Sequence, residues 1–150
     1  MELVLFEPEI PPNTGNVARL CAAAGVRLNL VEPLGFSLDE KHLRRAGLDY
    51  WPHVDVHVLP GREALTAHAA GRRLVLSSAR RGERFDRFVY RADDLLVLGP
   101  ETRGLPEDLF AAHPDHVRIP IRGVVRSLNL STAAGVLLYT ALAATGLLPD

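Results

Sequence analysis

Short apolar runs alternate along this chain with stretches of helical period, the pattern of an α/β fold built on a largely parallel sheet. Leu3 to Phe6 predicts a first strand. Asn16 to Ala24 predicts a first helix, stopped by Gly25 where a left-handed residue suits the position after the last turn. Arg27 to Val31 reads as a second strand, and Ser37-Leu38-Asp39-Glu40 has the spacing of a capping box that opens a short helix through Arg45. Val54 to Leu59 alternates like a strand, and the Ala-rich stretch Glu63 to Ala70, between Gly61 and Gly71, predicts a helix. Leu74 to Leu76 follows as a buried strand, then an Arg-rich loop. Leu95 to Leu98 is the most apolar short run and reads as a central strand, broken by Gly99-Pro100. Pro106 suits the first position of a helix reaching Ala112, and Val117 to Ile119 makes the last strand. Leu130 to Ala144 is apolar nearly all round, so this helix is either sandwiched in the core or shared with a second subunit.

The pattern shows neither repeat nor linker, and 150 residues suit one domain, which at this size buries about 70% of the surface of its unfolded chain. The lone cysteine, Cys21, allows no intrachain disulfide and falls in the apolar part of the first helix, where a small buried thiol is the ordinary outcome. The N-terminal segment carries acids where a signal peptide needs basic residues, and its apolar run is too short to span a membrane, so the expectation is a soluble, cytoplasmic protein. Net charge is −1, which argues against a partner bound by bulk electrostatics. The distribution matters more. Of the 17 basic residues only Lys41 is a lysine, and the arginines group at 44–45, 72–73, 80–87 and 118–126. Arginine binds phosphate bidentately, although a solvated surface explains any single group equally well.

Several chemistries are disfavoured by the motifs. The segment Gly99 to Gly104 lacks the glycine spacing of a dinucleotide-binding loop, and no P-loop occurs. His53 and His57, four apart on a strand, would stand about 13 Å from each other, too far to share a metal. Three polar, turn-rich loops remain, each after a predicted strand, where open α/β sheets place their ligands. They run from Glu7 to Asn16, leading into the helix that carries Arg19, from Gly99 to Gly104, and from Pro120 to Asn129. Singly, each has an ordinary explanation: Asn16 as a helix cap, Glu101 as an acid near a helix start, Ser127 or Asn129 as the cap of the last helix.

Taken together, these loops resemble those of the SPOUT superfamily of RNA methyltransferases, most closely the small tRNA (cytidine/uridine-2′-O)-methyltransferases that modify the wobble nucleotide. The resemblance rests on Phe6-Glu7-Pro8-Glu9-Ile10-Pro11-Pro12-Asn13-Thr14-Gly15-Asn16 with Arg19-Leu20-Cys21, on Leu43 to Tyr50, and on Gly99-Pro100-Glu101-Thr102-Arg103-Gly104-Leu105-Pro106. Ile119-Pro120-Ile121 and Arg126-Ser127-Leu128-Asn129-Leu130-Ser131 complete it. One stretch departs: Arg122-Gly123-Val124-Val125 stands where some relatives are more polar.

The resemblance implies a deep C-terminal trefoil knot, a topology that pattern reasoning alone rejects. It also implies a homodimer, S-adenosylmethionine as methyl donor with no metal, and a tRNA substrate. Backbone groups of the knot loops, at Leu76, Gly99, Ile119, Ser127 and Leu128, would hold the cofactor, with Glu101 beside them. The catalytic set would be Asn16, Arg19, Glu101, Ser127 and Asn129. A guanidinium is effectively always protonated, so Arg19 is read as binding the adjoining phosphate and stabilising a developing alkoxide, while Asn129 and Ser127 orient the ribose. Glu101 would hold Arg19 or the cofactor-side loop. Arg19, Arg44, Arg45, Arg80, Arg81 and Arg126 are the expected RNA contacts. Two alternatives stand beside this reading: the same chemistry on rRNA or another tRNA position, and a non-catalytic RNA- or cofactor-binding module.

Overall fold

Seven strands form one sheet in the order β3-β2-β1-β6-β4-β7-β5, every neighbouring pair parallel, in a computed structural model that describes residues 1–39 and 51–150. The strands are β1 (Glu2–Phe6), β2 (Arg27–Val31), β3 (Val56–Leu59), β4 (Leu74–Ser78), β5 (Glu83–Arg84), β6 (Leu95–Leu98) and β7 (His116–Arg118). The described helices of more than one turn are α1 (Pro11–Ala24), α2 (Arg62–Ala69), α3 (Glu107–Ala112) and α4 (Leu130–Thr145). The expected α/β class and parallel sheet are therefore present.

Successive strand residues point to opposite faces, so one strand feeds two cores. Leu3 and Leu5 join Val17, Cys21, Leu98, Leu137 and Leu138 under α1 and α4. Val4 and Phe6 join Leu65, Leu76, Val97 and Leu109 under α2 and α3. This two-sided covering explains why the central strands read as unbroken apolar runs: every residue of β6 is buried. Cys21 is fully buried among apolar neighbours, and burial pushes its thiol up to about 12. The apolar last helix is accounted for in part by core packing. Leu130, Ala134, Leu137, Leu138, Ala141 and Leu142 are buried, while Tyr139 stays 38% exposed.

Several boundaries differ from the sequence expectation. The first helix starts at Pro11, not Asn16, with prolines in its first positions and Ile10 as the flanking residue. Pro106 flanks α3 rather than opening it. The last long strand is His116–Arg118, ending one residue before Ile119, and β3 begins at Val56, leaving His53 in a 3-10 turn (Trp51–His53). The Arg-rich loop contributes the short strand β5. Ser37 Oγ does accept the Asp39 N–H, at 3.2 Å, but the rest of the expected helix through Arg45 lies outside the described residues, as do Leu43 to Tyr50.

Candidate active site

Parallel strands deliver their loops to one edge of a sheet. Because β1 and β6 are neighbours, with Leu5 beside Leu98, the loops at 7–10 and 99–104 leave side by side. On the other flank of β6, β4 is the next strand and β7 the one after it, so Leu76 lies one strand and Ile119 two strands across from the Gly99 end. Leu76 is fully buried in β4, Gly99 is half-buried directly after β6, and Ile119 is half-buried directly after β7. The three expected backbone contacts of a cofactor thus lie on three adjacent strands.

The 99–104 loop is tightly wound. A Cβ added at Gly99 would lie 2.5 Å from the Leu105 nitrogen, and Gly104 takes φ 67° while its N–H donates to the Pro100 carbonyl at 2.9 Å. Glycine is required at both places, at the first for space and at the second for its backbone conformation. The winding aims the Glu101 carboxylate at the start of α1. There it accepts the Glu9 N–H at 2.9 Å, the Ile10 N–H at 3.1 Å and the Asn13 side-chain amide at 3.3 Å. Ile10 has no side chain that can cap the helix, so a carboxylate from another loop satisfies its open donors and meets the positive end of the helix dipole. Both Glu101 oxygens thus accept bonds from the loop after β1 and the start of α1.

From Asn13 the connection continues. Its Oδ1 accepts from Asn129 Nδ2 at 3.0 Å, and Asn129 Oδ1 in turn caps α4, accepting from Ser131 N–H at 2.9 Å and Ser131 Oγ at 2.7 Å. Glu101, Asn13 and Asn129 therefore join all three sequence-distant loops through side chains. Asn129 is both the ordinary cap and part of the site: its oxygen serves the helix and its amide serves the bridge. Asn13 is 7% exposed, whereas Asn16, one turn on, is exposed, as is Arg19 a further turn along α1. Sequence reasoning passed over Asn13. The signal was Pro11-Pro12, which mark a helix start and place Asn13 inside the first turn.

The third loop is open. From Ile119 to Leu128 the turn of the backbone is marked by Val125 N–H bonding Arg122 O at 3.5 Å. Ser127 and Arg126 are exposed, Leu128 is half-buried, and Val124 is 90% exposed. Of the expected RNA contacts, Arg80 and Arg81 are both exposed, and the Arg81 guanidinium is also ion-paired with Glu107 and lies over the Phe110 ring at 4.7 Å. Arg44 and Arg45 lie outside the described residues. Among the described residues no group of three or more histidine, cysteine, aspartate or glutamate side chains could hold a metal, and no helix is long and apolar enough to cross a membrane.

A parallel sheet with three loops tied at one edge by carboxylate and amide side chains defines the class, and the comparisons specify it. Residues 1–139 match the SpoU rRNA Methylase family, and the chain belongs to that family. It is 50% identical over 142 residues to a tRNA (cytidine(34)-2′-O)-methyltransferase of Methylovorus glucosotrophus, covering 93% of this chain and 92% of the relative. A solved structure concerned with 2-OH methylation of C/U34 on tRNA superposes with a TM-score of 0.88 at 48% identity, covering 95% of this chain and 94% of that one. The SpoU methyltransferase AviRb from Streptomyces viridochromogenes, solved in complex with AdoMet, superposes with a TM-score of 0.78 at 25% identity, over 95% of this chain and 59% of that one.

Proposed function

We propose that this chain transfers a methyl group from S-adenosylmethionine to the ribose 2′-OH of the wobble nucleotide, cytidine or uridine 34, of tRNA. The observation that carries the reading is the Glu101–Asn13–Asn129 bridge at the loop edge, in a chain half identical to a relative that bears this activity in its name. Such a transfer is an in-line displacement, so the protein's task is chiefly to align three atoms and to ease loss of the hydroxyl proton. The cofactor, when bound, supplies an electrophilic methyl group on a sulfonium. Backbone groups at Leu76, Gly99, Ile119, Ser127 and Leu128 would hold it; the exposed course of the chain from Arg122 to Ser127 suits recognition by shape and backbone hydrogen bonds.

Asn129, fixed by the α4 cap on one side and Asn13 on the other, orients the ribose together with Ser127. Arg19, exposed on α1 beyond this bridge, binds the adjoining phosphate and stabilises negative charge developing on the 2′-oxygen. Asn16 shares that exposed surface and serves the same substrate side. Arg126 and Arg80 contact neighbouring phosphates, joined by Arg44 and Arg45. The whole chain acts as one domain, in the cytoplasm, as a homodimer. Its C-terminal segment is threaded as a trefoil knot, which the packing of Gly82 against the His116 backbone and the Phe85 N–H bond to Arg118 O at 2.9 Å support. One assay tests the function: purified protein and labelled cofactor are incubated with total tRNA and, separately, with rRNA, and 2′-O-methyl nucleotides are mapped. Label at position 34 is expected. Label in rRNA alone refutes the wobble assignment, and label in neither pool favours a binding module.

A further inference from the structure

We infer that Glu9 is a positioning residue of this site, one that acts through Thr102 to hold the 99–104 loop in its cofactor-binding shape. The inference rests on the methyltransferase reading above and concerns a residue outside the set assigned there. The two adjacent loops exchange carboxylates. Glu101 reaches back to accept the Glu9 and Ile10 N–H groups, at 2.9 and 3.1 Å, and Glu9 reaches forward. Its carboxylate accepts the Thr102 hydroxyl at 2.8 and 2.9 Å and the Thr102 N–H at 3.3 Å. Arg103, next along, pairs with Glu7 and lies 3.8 Å from Glu9 Oε1. Residues 101 to 103 are thus each tied to the loop after β1, over a separation of more than 90 residues.

The Glu9 side of this latch cannot retreat. Gly35 donates its N–H to Pro8 O at 2.9 Å, and a Cβ at Gly35 would lie 2.8 Å from Glu9 Cα, so the Glu9 backbone is braced from behind. Gly99 is already packed against Leu105, and Glu101 and Arg103 have their own ties to the loop after β1, so Glu9 supplies the hold on Thr102 between them. Releasing Thr102 removes one of these ties and loosens the backbone next to Glu101. The consequence falls on cofactor affinity before it falls on tRNA, whose contacts lie on α1 and the arginine loops.

The test is calorimetric titration of purified wild type and variants with S-adenosylhomocysteine, alongside steady-state methylation of tRNA. Glu9→Ala is expected to weaken S-adenosylhomocysteine binding roughly tenfold, the loss of one to two hydrogen bonds to a charged group, with the KM for tRNA moving less than about twofold. Glu9→Gln keeps the length and an acceptor for the Thr102 hydroxyl and should recover most of that affinity; Glu9→Asp, one methylene shorter on a braced backbone, should not. Thr102→Val should reproduce much of the loss, and the double variant should be no weaker than Glu9→Ala, since both remove one interaction. Affinity of Glu9→Ala within twofold of wild type, or additive losses in the double variant, overturns the inference. Should Glu9→Ala fail to fold, the exposed Thr102 decides alone: Thr102→Ser keeps the hydroxyl and is expected to bind as wild type, and equal affinities for Thr102→Ser and Thr102→Val overturn it. Wild type that binds no cofactor and methylates no tRNA removes the methyltransferase reading itself, a result distinct from an active wild type with a silent Glu9.

Discussion

Asn13 and Arg19 divide the labour of one helix. Asn13 is buried between two other loops, so removing it breaks hydrogen bonds to both Glu101 and Asn129. Leaving buried polar groups unsatisfied costs about 1–3 kcal/mol each, so Asn13→Ala should lower kcat/KM on the order of 10- to 100-fold or more and weaken cofactor binding as well. Single-turnover methylation and cofactor titration check both parts, and unchanged values for the two would dismiss the bridge. Arg19 is exposed, and on the proposed role Arg19→Ala should abolish methylation while cofactor affinity stays within about threefold. An active Arg19→Ala refutes its role, and lost cofactor binding moves it to the other half of the site. The residue types at these loops were legible in the sequence; which asparagine faces inward was not, because that depends on a helix beginning five residues earlier than its apolar period suggested.

At the scale of elements, the sheet edge opposite the three polar loops carries a polar cluster that fixes β1 to α2. Glu2 is 9% exposed and accepts from Asn29 Nδ2, His68 Nε2 and Arg72 Nη1, each at 2.7 Å. Burial by itself raises the carboxyl, but the bonds to His68, Arg72 and Asn29 outweigh it and hold the group at about 2. A carboxylate depressed on folding stabilises the fold above its unfolded value and loses that contribution as pH falls towards the folded one. Thermal midpoints should therefore drop between pH about 4.5 and 2, with a contribution on the order of 2–3 kcal/mol at stake. Glu2→Gln should be less stable at pH 7 and show a flatter acid branch; an unaltered acid branch sinks the assignment. The arginine loop after β4 also divides. Arg81 is held by Glu107 and Phe110, so neutralising Arg80 should reduce the salt dependence of tRNA binding more than neutralising Arg81. Binding isotherms across a salt series, for Arg80→Gln and Arg81→Gln, measure it, and equal slopes would count against the difference. Neither distinction was visible in a run of arginines, since Glu107 and Phe110 come 26 and 29 residues after Arg81.

For the molecule as a whole, the last helix packs one side on α1 and the sheet and leaves Tyr139 at 38% exposure, with Leu147 and Leu148 exposed just beyond its end. A chain with that residual apolar surface is expected to run as a dimer, at twice its mass of 16.4 kDa. Tyr139→Arg should shift sedimentation towards the single chain and reduce methylation. A wild type that sediments as one chain at micromolar concentration yet remains active would exclude an obligatory dimer.

The amino-acid pattern by itself determined the class of fold and the edge of the sheet at which the three polar loops gather. Unbroken apolar runs require a sheet covered on both faces, and polar loops following such strands collect at one end. It also determined the residue types available, because the glycines at 99 and 104 are local requirements of a tight turn. Only the tertiary structure decided which of these groups meet. The Glu101–Asn13–Asn129 bridge and the Glu9–Thr102 contact join residues 88 to 116 positions apart. Their distances are set by strand order, which arises from packing across the sheet and leaves no trace in the spacing of neighbouring residues, and by where α1 begins, which only the Pro11-Pro12 pair marks locally.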